Sequence, residues 1–157
     1  MRYLIIILAS LMLFPFKLNA QNFKPLNEII MKENFDDLSV RLNIFLRCTS
    51  VYNYGAEVLS VTFGSKSGAV DEYNRIASEY AVLANREKKR IPNPNNIKIT
   101  DKETFDSVMK DISKMKSFYR DDGNKNKLKT GDMLAGSYIS VDIEICKGLG
   151  RTLGFVK

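Results

Sequence analysis

An all-α protein is expected: a small antiparallel bundle of about four helices after a cleaved signal peptide. Apolar residues recur at alternating spacings of three and four through most of the chain, the period of helices that each bury one stripe. The periodic segments are joined by short polar connectors carrying Gly, Pro or Asn, which suits antiparallel neighbours. No two segments read convincingly as partnered strands, and a lone strand is not stable.

Residues 1–20 stand apart from the bundle. Arg2 supplies a short positive region, and Leu4 to Phe16 is a mostly apolar run of thirteen residues. Lys17-Leu18-Asn19-Ala20 closes it with polar residues and a small one. This is the layout of a secretory signal peptide cut after Ala20. Thirteen apolar residues fall short of the ~20 that cross ~30 Å of hydrocarbon, so no stable membrane span is expected after cleavage. Residues 21–157 are expected to form a single helical domain, large enough to bury a core. Loss of Arg2 and Lys17, with no acid lost, lowers the formal charge from +6 to +4. That mild basicity suits plain solubility, and it would also favour another protein or an anionic envelope component as partner. The expected location is the bacterial periplasm or the extracellular space.

Each element has its own pattern. Pro25 suits the first turn of a short helix in which Ile29 and Ile30 pack on the succeeding segment. Phe35, Leu38, Leu42, Phe45, Thr49, Tyr52, Ala56, Leu59 and Phe63 then mark one long stripe, with Asn34 as N-cap and Gly64 as the stop. After the connector GSKSG, a second helix carries Val70, Tyr73, Ala77, Tyr80 and Ala84. It ends on Arg86, Lys88, Lys89 and Arg90, which complement the helix dipole or form an anion-binding patch. Pro92 and Pro94 break the chain, and Ile97 and Ile99 are expected to pack the loop onto the domain. A capping box, Thr100 with Glu103, opens the third helix, whose stripe is Phe105, Val108, Ile112, Met115 and Tyr119. DDGNKNKLK reads as a mobile loop. A last helix is expected from near Thr130, with Leu134, Tyr138, Val141 and Ile145 inward. Ile139, Val141, Ile143 and Ile145 also alternate as a strand would, but no partner strand is available. Residues 148–157, with three glycines, read as a loosely ordered tail.

Cys48 and Cys146 are the only cysteines. In an oxidising compartment they read as one intramolecular disulfide, with an intermolecular bond or a working thiol as the alternatives. A closed loop of this length is worth up to ~4.7 kcal/mol in the chain-entropy account. A working thiol needs a lowered pKa, but there is no histidine and Cys48 lies in mid-helix. The bond would tie the middle of the first long helix to the end of the last.

The absence of histidine also excludes Ser-His-Asp and Cys-His catalysis and histidine metal sites. No Walker loop, GxGxxG, GxSxG or CxxC occurs. No cofactor, metal site or nucleic-acid partner is expected. Carboxylate chemistry survives, with Glu57, Asp142 and Glu144 as candidates, although all three are read first as solvated. Tyr52, Tyr54, Tyr73, Tyr80, Tyr119 and Tyr138 either cross-link the core or line an amphipathic pocket. The expected function is non-catalytic binding of the kind made by inhibitors, immunity proteins, chaperones or assembly factors. A small-molecule or lipid carrier is the alternative, and a carboxylate-dependent cell-wall hydrolase a lesser one.

Overall fold

A computed structural model describes residues 25–92 and 99–157. The expected signal peptide and the packing of Ile97 lie outside the described residues. All regular structure among the described residues is helical, and it forms five helices rather than four: α1 Leu26–Lys32, α2 Leu38–Phe63, α3 Gly68–Arg90, α4 Asp101–Thr130 and α5 Tyr138–Thr152. No described helix is long and apolar enough to cross a membrane.

α2 is the axis of the fold. Every residue from Ile44 to Tyr52 is buried, and Tyr54, Gly55 and Ala56 continue the run. One buried stripe was expected, but the middle of the helix is buried on nearly every side, whereas Val61 and Phe63 at its end are exposed. α3 returns antiparallel beside it after a tight connector, pairing Tyr52 with Tyr73 and Phe45 with Tyr80. α4 runs parallel to α2, with Ser50 Oγ donating to the Ile112 carbonyl and Lys116 reaching Glu57. α5 and α1 cover what remains of α2.

Several element ends differ from expectation for identifiable reasons. α2 begins at Leu38, because Asn34 Oδ1 accepts from the Asp36 amide at 2.9 Å and closes a turn of its own. Asp37 then caps the helix through the Ser39 amide at 2.7 Å. α4 opens with the expected capping box at Thr100 and Glu103. Phe105 is nevertheless exposed, and Thr104 takes the buried position. α4 also continues through the expected loop to Thr130. Gly123 is not a stop. A Cβ there would sit 1.8 Å from Tyr54 Oη, so glycine lets the tyrosine lie against the helix. Gly131, at φ 83°, ends α4 instead.

α5 starts at Tyr138 rather than near Thr130. The residues before it form a turn in which Asp132 Oδ1 accepts from the Leu134 and Ala135 amides, at 2.6 and 2.8 Å. Asn126 of α4 donates to the Asp132 and Ala135 carbonyls across the same turn. α5 then runs through the first glycines of the expected tail. Beyond Thr152 the chain folds back, with the Phe155 and Val156 amides donating to the Gly150 carbonyl. The Phe155 ring meets Tyr80 edge-on at 4.9 Å, so this tail is packed rather than loose.

Candidate functional site

The three candidate acids lie in separate surroundings. Glu144 is exposed, with Lys147 at 4.0 Å. Glu57 is half-exposed between Lys116 at 2.5 Å and Arg120 at 2.7 Å. Burial pushes its carboxyl up, but the hydrogen bonds and charges of those two cations outweigh this and hold it below the usual range. Asp142 was expected in solvent and is completely buried. Its Oδ2 accepts from Arg47 Nη2 and from Tyr119 Oη, each at 2.6 Å. Its Oδ1 accepts from the Leu26 amide at 2.9 Å, capping α1, where Pro25 offers no side-chain cap. Arg47 Nε donates to Tyr119 Oη at 3.2 Å. Tyr119 is pushed well above its ordinary range by burial, so it stays a donor. These partners are not shared between the three acids, so the geometry offers no acid pair across a substrate.

The Cys48 and Cys146 sulfurs stand at bonding distance, 2.03 Å, one residue from Arg47 and one helical turn from Asp142. Disulfide and ion pair therefore clamp the same two turns of α2 and α5. Tyr52, Tyr73, Tyr80 and Phe155 form an aromatic layer beside this clamp, and the Tyr80 hydroxyl donates to the Cys146 carbonyl at 2.5 Å. The basic end of α3 is likewise engaged. Arg86 and Arg90 face the buried Glu87, Lys88 faces Asp111, and Lys89 faces Asp101. These features hold the fold together.

A concave surface lies over α2. α3 and α4 each pack extensively on α2 but touch one another much less, so they diverge above it. A hollow of about 380 Å³ results, floored by Thr49 and Asn53 and walled by Ala77 and Ala81 on one side, Phe105 and Met109 on the other. That lies within the ~300–1,000 Å³ usual for ligand sites. Val82, Phe105 and Met109 line it while 65, 47 and 41 % exposed, so three large apolar side chains border one opening. Asn85 also lines it, and its Oδ1 is buried without a hydrogen-bond partner. A buried unpaired acceptor costs ~1–3 kcal/mol.

A second hollow, of about 400 Å³, lies farther along α2 at Ala56, Glu57 and Ser60, with Asn74 and Lys116 on its sides. Asn53 borders both hollows, the first mainly apolar and the second more polar and charged. Ser78, Ala81, Val82, Asn85 and Met109 were not singled out from sequence. The legible trace was a run of small residues, Ala77, Ser78 and Ala81, on one face of the second helix. Among the described residues no group of three or more potential metal ligands occurs. Comparison with known proteins returns no match to a family model, a curated protein or a solved structure.

Proposed function

We propose that this is an exported, non-catalytic binding protein that seats part of a partner protein in the groove over α2. The observation that carries the reading is the apolar opening at Val82, Phe105 and Met109. Each exposed apolar side chain there would gain from burial at roughly 25 cal/mol per Å². Export is supported by the sequence of residues 1–20 and by a cysteine pair at bonding distance, an arrangement typical of oxidising compartments. Binding of this kind would suit an inhibitor, an immunity protein, a chaperone or an assembly factor.

A benzophenone photo-cross-linker placed at position 82, in cells exporting the full chain, tests the reading. A discrete adduct is expected from position 82, absent when Ala81→Arg fills the groove and absent from a linker at Met31, which is 80 % exposed but on α1. Equal adducts from both positions, or none from position 82, would remove the groove as the binding surface.

A further inference from the structure

We infer that, in the absence of its partner, the opening over α2 is covered by a second copy of this chain, related to the first by a twofold axis along the groove. The inference rests on the reading of this opening as a binding surface and adds what occupies it in the free protein. A twofold contact requires a face that complements itself, and this face does so in size and in charge.

Size comes first. The α4 wall presents two large side chains, Phe105 and Met109, both partly in solvent. The α3 wall is small at Ala77, Ser78 and Ala81, with Val82 exposed beside them. α3 and α4 run antiparallel on either side of α2. A twofold along the groove therefore sets α3 of each copy over α4 of the other, again antiparallel. The large wall of one copy then meets the small wall of the second, and three exposed apolar side chains from each leave water together.

Charge follows the same rule. Glu79 comes directly after Ser78 and Lys110 directly after Met109, so each stands just outside a residue that lines the hollow, and both are exposed. Where α3 and α4 approach, their charges pair within the chain, Lys88 with Asp111 and Lys89 with Asp101. Beside the opening they do not. The exposed α3 rim carries Asp71, Glu72 and Glu79 against Arg75 alone, and Glu72 already holds that guanidinium through two nitrogens. The α4 rim carries Lys110 and Lys114 one turn apart, while the nearby acids Asp106 and Asp111 are taken by Lys102 and Lys88. One rim is thus acidic and the other basic, with an apolar centre between them. The twofold lays the acidic rim of each copy over the basic rim of the other, twice in one contact.

Sedimentation equilibrium of the exported, oxidised protein over micromolar concentrations should show a reversible passage from one copy to two. Val82→Glu should leave it monomeric throughout, and this side chain is already 65 % exposed, so folding is not at issue. Glu79→Lys should weaken association about tenfold, because each rim contact occurs twice. The paired change Lys110→Glu with Lys114→Glu should do the same. An equimolar mixture of these two variants should associate as tightly as the parent, since a mixed pair sets base over acid at both rims.

The failures separate. Protein that stays monomeric at every concentration overturns the inference and leaves the groove reading to the cross-linker at position 82, whose adduct then joins a different protein. A dimer undiminished by Val82→Glu uses another face and overturns the inference alone. So does a dimer lost in Val82→Glu whose mixed rim variants associate no better than either one, for the copies then meet without this alignment. If position 82 cross-links neither a second copy nor any other protein, both readings fall.

Discussion

Asp142 shows how much one side chain can hold. It neutralises Arg47, orients Tyr119 and caps the first amide of α1, all without solvent contact. Removing one partner of such a pair leaves a buried charge uncompensated, which costs ~3–5 kcal/mol. Asp142→Asn should therefore lower unfolding free energy by about that amount, read as a reduced urea midpoint at constant m value. Adding Arg47→Met to Asp142→Asn should recover part of that loss, because no charge is then stranded and the amide oxygen can still accept a hydrogen bond. A single-variant loss under ~1 kcal/mol would mean that water reaches the pair, and the clamp would have to be discounted. Half of this was legible: Arg47 is the sole charge between Leu42 and Ala56, in a stretch otherwise fit for burial. Asp142 was not, because it alternates with apolar residues as a solvated position would, and its partner lies 95 residues away.

Helix ends were read correctly where the local signal was a true cap, as at Thr100 with Glu103 and at the Gly64 stop, and misread at Gly123, which reads as part of a loop but lies within α4. Gly123 answers a tertiary contact with Tyr54 that no local pattern encodes, whereas Gly131 has the positive φ of a true helix end. The turn from α4 to α5 was hidden for the same kind of reason. It is organised by side chains, Asp132 within it and Asn126 from the preceding helix, rather than by an apolar period. Asn126→Ala removes two hydrogen bonds from its amide to turn carbonyls and should cost about 1 kcal/mol. Hydrogen exchange should then quicken at the 132–137 amides while the interior amides of α2 keep their protection. Unchanged exchange in the turn would show that Asp132 alone suffices to form it.

At the scale of the molecule, an all-helical chain was legible, but the groove was not. It arises from the divergence of two helices over a third, and each helix is ordinary when read alone. The same global view settles how the protein should respond to pH. No histidine is present, and both cysteines are paired, so no side chain titrates with an ordinary pKa between about 5 and 9. Burial raises Tyr52, Tyr80, Tyr119 and Tyr138, so their contribution is intact below the unfolded value of about 10 and is lost as pH rises beyond it. Asp37 is lowered by the Ser39 hydroxyl and amide, and Asp132 by the Ala135 and Leu134 amides. Glu57 is lowered because its two cations outweigh burial. Their contribution is complete above the unfolded value of about 4 and is lost only as pH falls through the lower folded values. Thermal scans of the oxidised chain should thus show a level midpoint from about pH 6 to 9, declining on both sides; a step within that range would contradict this account.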